Sequence, residues 1–358
     1  MNKSILKHEI RSMKWMTLAS LTLSVVLVMM FSRNIDNRYA EMFYSGLSGN
    51  QAVIQQSLRY ISDMVLILFS SLAVLQVFMQ FRSEKDQEVG RFLKSLPVKN
   101  EEFLKVKLIS GLANLSLAFA VLFIGMIMVR RVNMFWIADI YSISNNPLPF
   151  MEVDGILSIL KELGLIYLIV LSFYTFLIMV QYTFTNLIGG IVTGILVWLA
   201  PIFILLTSAF TLERFISSSL TNRLFELSDW ALPWIYPFGI DYNTLNMNPN
   251  SINGNMIGII DHLAIKYIIC LGLIAVNIFL AYRFNKDSKI EDENKVIRFK
   301  STRNIFKIGV TICSALLASA VFTDFLMVDI SDILYLAIMI LGGSIGYFIS
   351  MKIAKVGN

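Results

Sequence analysis

Long apolar runs dominate the hydrophobic pattern of this chain. Eight of them contain no Asp, Glu, Lys, Arg or His, and they lie near residues 15–32, 64–81, 108–129, 163–183, 187–210, 267–282, 308–323 and 333–351. A transmembrane helix needs about 20 mostly apolar residues. The pattern therefore predicts an all-α integral membrane protein with eight transmembrane helices. The first run lacks an Ala-x-Ala cleavage site, so we expect it to be a retained span rather than a signal peptide.

Composition supports this class. Of 358 residues, 56% are hydrophobic and 15% are charged, which is too little charge to cover the surface of a soluble protein of this size. The same composition excludes disordered and nucleic-acid-binding classes. A disulfide framework is not indicated either, because both cysteines, Cys270 and Cys313, fall inside apolar runs and are expected to be buried thiols.

The basic residues predict the orientation. Cytoplasmic loops are enriched in Lys and Arg, and 21 of the 30 basic residues lie in residues 1–14, 82–107, 283–307 and 352–358. We call the side that carries these segments the predicted inner side. Both termini are expected there, in the cytoplasm, which requires an even number of spans.

Polar residues inside the runs are neutral. The absence of ionisable groups removes the usual machinery of ion-coupled transporters and pumps. The amides within the runs or directly beside them are expected to form hydrogen bonds between helices, with a substrate-lining role as the alternative; they are Gln76, Gln80, Asn114, Gln181, Asn186 and Asn277. Acids at the outer ends of the runs are expected to be solvated at the membrane interface; they are Asp63, Glu162, Asp261, Asp324, Asp329 and Asp332.

Catalytic and metal-binding motifs are missing. His262 follows Asp261, but the only other histidine, His8, is expected on the opposite side of the membrane, and a metal site needs three or four ligands. The sequence has no nucleophile elbow, no HExxH and no Gly-Lys pair for a phosphate-binding loop. We therefore expect no enzymatic activity and no cofactor or metal bound by this chain.

The segment between the second and third runs is the most informative. Val89, Phe92, Leu93 and Leu96 form one apolar stripe at helical spacing, which predicts a short amphipathic helix near residues 84–96. Ser83 is a candidate cap for its first turn, Pro97 would end it, and a second helix would begin at Asn100. Such a helix could transmit force to both flanking spans, or it could simply float on lipid headgroups.

This segment resembles the loop of type-two ABC transporter permease subunits that holds the coupling helix, which docks on a separate ATP-binding subunit. The match consists of an acid, a glycine, an aromatic and aliphatic pair, Leu-Pro-Val, and a Lys-rich start of the third span that includes Lys107. The resemblance implies ATPase coupling by Glu84, Glu88, Gly90, Arg91, Phe92, Leu93, Leu96 and Pro97. It also covers the six-span layout and the N-terminal stretch KSILKHEIRSMKW, which looks like the interfacial connecting helix of the family.

The predicted organisation departs from that family in three places. The permease core covers residues 1–283, with a long outer loop at 130–162. A charged cytoplasmic connection at 284–307, expected to be a solvated linker, leads to two additional spans at 308–358.

Residues 211–266 form a predicted outer segment that either caps the translocation path or serves as a passive anchor. It begins with a helical stripe that contains Leu212 and Phe215, continues through Trp230 and Trp234, and ends in the predicted loop DYNTLNMNPNSINGN.

The sequence thus predicts a plasma-membrane permease that exports a hydrophobic or amphipathic compound. Its expected partners are ATP-binding cassette ATPases, which would hold ATP and Mg, a second permease copy or paralogue, and membrane lipids. The alternative is an ATP-independent immunity or sensor protein that binds a peptide or lipid. An intramembrane enzyme is disfavoured, because acid-base chemistry needs ionisable groups within reach of the substrate.

Overall fold

Helices dominate the structure, a computed structural model that describes residues 3–45, 53–86, 100–143, 154–215, 242–246, 256–260, 263–287, 296–322 and 331–355. In chain order the elements are α1 (Lys3–Ser12), α2 (Lys14–Ser45), α3 (Val53–Lys85), α4 (Asn100–Ile143), α5 (Ile156–Thr183), α6 (Leu187–Phe215), β1 (Tyr242–Asn246), β2 (Met256–Ile260), α7 (Leu263–Asp287), α8 (Lys300–Ala320) and α9 (Asp332–Lys355).

Seven helices in the described part of the chain are long and apolar enough to cross a membrane, namely α2 to α7 and α9. They coincide with seven of the eight predicted spans and confirm the class of helical, multi-pass membrane protein. The remaining predicted span falls on α8, whose first turns carry Arg303 and Lys307. The described residues of α8 are not long and apolar enough to place it among these seven helices. The count of eight therefore stays a prediction.

Several helices are longer than a bilayer requires. Helix α3 has 33 residues and α4 has 44, which correspond to about 50 Å and about 66 Å at a rise of about 1.5 Å per residue. The hydrocarbon core is about 30 Å thick. Both helices must therefore continue outside it. At the N-terminus, α1 is a separate helix before α2, so the helix that the resemblance implied is confirmed as an element.

Three local predictions are wrong. Ser83 does not cap a new helix, because α3 continues through Lys85. The predicted loop contains β1, which pairs antiparallel with β2 in the register Tyr242 opposite Ile260. The predicted solvated linker contains a bridge between Phe184 and Ile297. By contrast, the predicted helix start at Asn100 is confirmed.

The chain divides into two compact units. The first contains residues 1–80, 102–175 and 240–276, and its core includes Phe69 and Phe119, whose ring centroids lie 4.4 Å apart. Helices α2 and α4 approach closely in this unit because Gly125 has no side chain. A Cβ there would lie 2.5 Å from Val28 Cγ2.

The second unit contains residues 81–101, 176–239 and 277–358. Helices α8 and α9 pack tightly in it, since a Cβ at Gly346 would lie 1.8 Å from Ser314 Oγ. The C-terminal end of α6 is joined to the start of α9, where Arg214 Nε lies 2.8 Å from Asp332 Oδ1 and the guanidinium lies 4.9 Å from the Tyr335 ring centroid. The two C-terminal helices are therefore part of the same compact unit as α6.

Candidate functional site

Of the eight predicted coupling residues, the structure describes one. Glu84 lies in the last turn of α3 and is partly buried. The others lie outside the described residues; they are Glu88, Gly90, Arg91, Phe92, Leu93, Leu96 and Pro97. On the predicted inner side, the candidate site that the structure describes consists of the end of α3 and the elements that contact it.

The last residue of α3 binds the end of another helix. Lys85 Nζ donates a hydrogen bond of 2.7 Å to the carbonyl oxygen of Gln181 and a second one to that of Phe184. Helix α5 ends at Thr183, so these carbonyl groups lie at the negative end of its dipole, where a lysine is favourable. Lys85 thereby fixes the end of α3 to the turn that follows α5.

That turn connects α5 to α6 in only three residues, and local side chains hold it. Asn186 Oδ1 accepts a hydrogen bond of 3.0 Å from the backbone N–H of Ile188, which places Asn186 at the N-terminal cap of α6. Gln181 Nε2 donates to the Leu187 carbonyl over 3.1 Å. Both amides were expected to link separate helices. Gln181 does so, because it joins α5 to the first residue of α6, whereas Asn186 caps α6 instead.

A short extended segment pairs with the same turn. Thr185 N–H donates to the Val296 carbonyl over 3.2 Å, and Arg298 N–H donates to the Thr183 carbonyl over 3.0 Å. Ile297, only 1% exposed, packs in a small core with Phe184. Sequence reasoning missed this segment, although Val296 and Ile297 are an apolar pair inside an otherwise charged run.

We call this arrangement of Lys85, residues 183–187 and residues 296–299 the inner turn site. Its contacts are backbone hydrogen bonds, one lysine cap and a small apolar core. Within the described ranges no group of three or more His, Cys, Asp and Glu residues could hold a metal ion. The contacts of the site are suited to holding helix ends together.

A separate polar cluster lies in the first unit. Asn114 Nδ2 donates to Gln76 Oε1 over 2.7 Å, Gln80 Nε2 donates to the Lys107 carbonyl over 2.9 Å, and Tyr174 Oη lies 2.9 Å from Gln80 Oε1. These bonds connect α3, α4 and α5. The predicted role of the amides Gln76, Gln80 and Asn114 as links between helices is confirmed.

Lys107, the basic residue that the resemblance placed before the third span, belongs to this cluster. It is 5% exposed, and its Nζ donates to the backbone carbonyl of Gln80. Gly111 makes room for the cluster one helical turn later, because a Cβ there would lie 1.8 Å from Tyr174 Oη. The lysine thus ties α4 to α3 and does not face the bulk solvent.

Buried charges also occur at the predicted outer side, where interfacial solvation was expected. That prediction is wrong for Glu162, which is 3% exposed and accepts a hydrogen bond from Ser62. It is confirmed for Asp63, which is exposed. Asp332 is also largely exposed, in its ion pair with Arg214. The remaining predicted interfacial acids and His262 lie outside the described residues; the acids are Asp261, Asp324 and Asp329.

Asp154 closes the first turn of α3 although it lies about a hundred positions away in sequence. Its two carboxylate oxygens accept hydrogen bonds from the backbone N–H groups of Val53, Ile54 and Gln55, over 2.9, 3.0 and 3.2 Å. Arg130 Nε donates to the Asp154 carbonyl over 2.6 Å. The long predicted outer loop is therefore anchored to α3 and α4 at its C-terminal end.

In the predicted outer segment, Leu212 and Phe215 belong to the last turn of α6. Residues 216–241, which include Trp230 and Trp234, lie outside the described part of the chain.

A comparison with known proteins finds no family model, no curated protein and no solved structure that matches this chain.

Proposed function

We propose that this chain is the membrane-spanning permease subunit of an ATP-driven transporter of the type-two ABC class. The observation that carries the proposal is the way α3 ends. Lys85 is bound to the α5–α6 turn and lies at the start of the segment near residues 84–96 whose sequence resembles a coupling helix. A displacement of that segment would therefore move the end of α3 and the end of α5 together.

The lengths of the flanking helices support this role. Helices α3 and α4 border the segment and are longer than the hydrocarbon core is thick. Rigid helices of this length carry a displacement from a membrane surface into the bilayer. The segment between them is where a separate protein could act on both.

The buried charges also fit a transporter that takes its energy from a partner. Glu162 is engaged by Ser62, and Lys107 by a backbone carbonyl, so both have structural partners. The apolar runs themselves carry no ionisable residue, which disfavours an ion-driven cycle. ATP and Mg would be held by the ATPase subunits.

The rest of the proposal follows from this assignment. The protein would lie in the plasma membrane with both termini in the cytoplasm, as the Lys and Arg distribution predicts. It would pair with a second permease copy or a paralogue, and would export a hydrophobic or amphipathic compound such as a peptide, an antibiotic or a lipid-like molecule.

The test introduces a negative charge into the predicted apolar stripe. We expect Phe92→Asp or Leu93→Asp to abolish copurification with an ATP-binding cassette protein encoded by an adjacent reading frame, because an aspartate cannot enter an apolar groove without a partner. Lys94→Asp is the matched control, since it adds the same residue outside the stripe and should retain the ATPase.

Two results would contradict the proposal. One is copurification and transport that stay unchanged in Phe92→Asp protein. The other is the absence of any bound ATPase from the wild-type protein together with direct binding of a peptide or lipid, which would favour the ATP-independent alternative.

A further inference from the structure

The inner turn site joins three parts of the chain that are far apart in sequence. Lys85 is the last residue of α3, residues 184–186 connect α5 and α6, and residues 296–299 lead directly into α8. Lys85 and the extended segment are both attached to the same short turn. The α5–α6 turn is therefore bound by the end of α3 and also by the segment that precedes α8.

The two attachments meet on Phe184. Its backbone carbonyl accepts a hydrogen bond from Lys85, and its side chain packs with Ile297. Its ring also lies edge-on to that of Phe306, with centroids 6.3 Å apart. A displacement of Lys85 would therefore act on the residue that holds both the extended segment and the first turns of α8.

Helices α8 and α9 pack closely enough that we expect the hairpin they form to move as one rigid unit. Its helices pack backbone to backbone, since a Cβ at Gly342 would lie 2.8 Å from the carbonyl oxygen of Ser314. Closely packed helices transmit strain because the contact leaves no space for compression. Motion at Phe306, near the start of α8, would then involve α9 as well.

We propose that Lys85, Phe184 and the segment Val296–Arg298 form a mechanical linkage that couples the end of α3 to the α8–α9 hairpin. Lys85 is a positioning residue in it. The linkage gives the two C-terminal helices a role in the transport cycle, as the part of the chain that responds when the coupling segment moves. This role in the transport cycle and the source of the movement rest on the proposed function. The linkage itself is a property of the single chain.

The test measures how well Lys85 protects the buried segment. In full-length purified protein with Cys270→Ser and Cys313→Ser, an Ile297→Cys thiol should react slowly with a maleimide, because residue 297 is buried. Lys85→Ala removes a charged donor from the turn, so we expect local opening and labelling to rise about tenfold or more. Arg82→Ala is the matched control on the exposed side of the same helix end and should leave the rate unchanged.

A disulfide provides the second measurement. Phe184 and Ile297 form a pair without direct hydrogen bonds between them, in which Cα atoms lie about 4.5 Å apart, within the range for a disulfide. Phe184→Cys with Ile297→Cys should therefore oxidise readily. Oxidation should be slower by about tenfold when Lys85→Ala is added, because the turn then samples other positions. Equal labelling rates in Lys85→Ala and Arg82→Ala proteins, or equal oxidation rates with and without Lys85→Ala, would overturn the linkage.

These outcomes are separate from those of the proposed function. Labelling and oxidation use the chain alone, so the linkage can be confirmed even where no ATPase copurifies. Conversely, where an ATPase does bind, a Lys85→Ala complex that still couples ATP hydrolysis to transport at the wild-type ratio would overturn the linkage and leave the permease assignment intact.

Discussion

At the scale of single residues, Gly111 is one of the described glycines that leave no space for a side chain. Its Cα faces Tyr174 Oη and Gln76 Nε2, and a Cβ would lie 1.8 Å from the first and 2.5 Å from the second. Tyr174 and Gln76 are fully buried and belong to the polar cluster, so neither can move without breaking hydrogen bonds. The glycine is needed for this close approach of α4 to α3 and α5.

We therefore predict that Gly111→Ala destabilises the protein by about 1–3 kcal/mol, the usual cost of overpacking. The measurement is thermal unfolding of the purified protein in detergent. Gly272→Ala is the matched control, because nothing lies within 4 Å of a Cβ at that position and alanine is the better helix former; its unfolding temperature should stay the same or rise. A Gly111→Ala protein as stable as the control would show that the cluster is not closely packed there.

For single residues, the sequence predicted that a buried polar side chain is hydrogen-bonded, but not which residue on another helix is its partner. The role of Gln76, Gln80 and Asn114 followed from a general requirement, since a buried amide must be hydrogen-bonded. The burial of Glu162 did not follow, because its distance from the end of an apolar run says nothing about Ser62 on a neighbouring helix. Position along the chain predicts depth in the membrane, but not which side of the helix faces a partner.

At the scale of whole elements, the start of α3 depends on a carboxylate from a distant loop. The first N–H groups of a helix have no partner within it, and Asp154 accepts three of them at a fully buried position. The negative charge is also favourable at the positive end of the helix dipole. Asp154 thus stabilises α3 and fixes the loop before α5 at the same time.

Asp154→Ala should consequently lower the free energy of unfolding by about 1–2 kcal/mol, the usual cost of losing a helix cap, measured again by thermal unfolding. Asp63→Ala removes the same charge from an exposed position on α3 and should change the stability little. If the two variants lose equal stability, the carboxylate of Asp154 does not cap α3 in the protein.

The elements themselves were predictable to the extent that periodicity and hydrophobicity define them. The apolar runs predicted seven helices that the structure confirms as long and apolar. The pairing of Val296–Arg298 with the α5–α6 turn was not predictable, because a three-residue strand has too few positions to show alternation. The strands β1 and β2 were missed for a related reason, since Asn and Gly around them favour turns and their pairing is a contact between separate segments.

At the scale of the whole molecule, α8 decides the topology. If α8 crosses the membrane, the chain has eight spans and both termini lie on one side. If α8 does not cross, the seven long apolar helices of the described residues place the termini on opposite sides. The second arrangement would move Lys352 and Lys355 to the outer side and leave the other 19 basic residues of the predicted inner segments in place, so the Lys and Arg distribution alone does not decide between the two.

The deciding experiment labels single cysteines at Lys7 and Lys352, both exposed in the structure, in protein with Cys270→Ser and Cys313→Ser. With eight spans and cytoplasmic termini, an impermeant maleimide added to intact cells should label neither Lys7→Cys nor Lys352→Cys, and permeabilised cells should show both, because the reagent then reaches the inner side. Arg131→Cys, exposed near the predicted outer end of α4, should react in intact cells and reports that the reagent works.

Labelling of Lys352→Cys alone in intact cells would mean that α8 does not cross the membrane. The hairpin would then have only one transmembrane helix, α9, while α8 would stay on the inner side next to the turn that it contacts through Phe306.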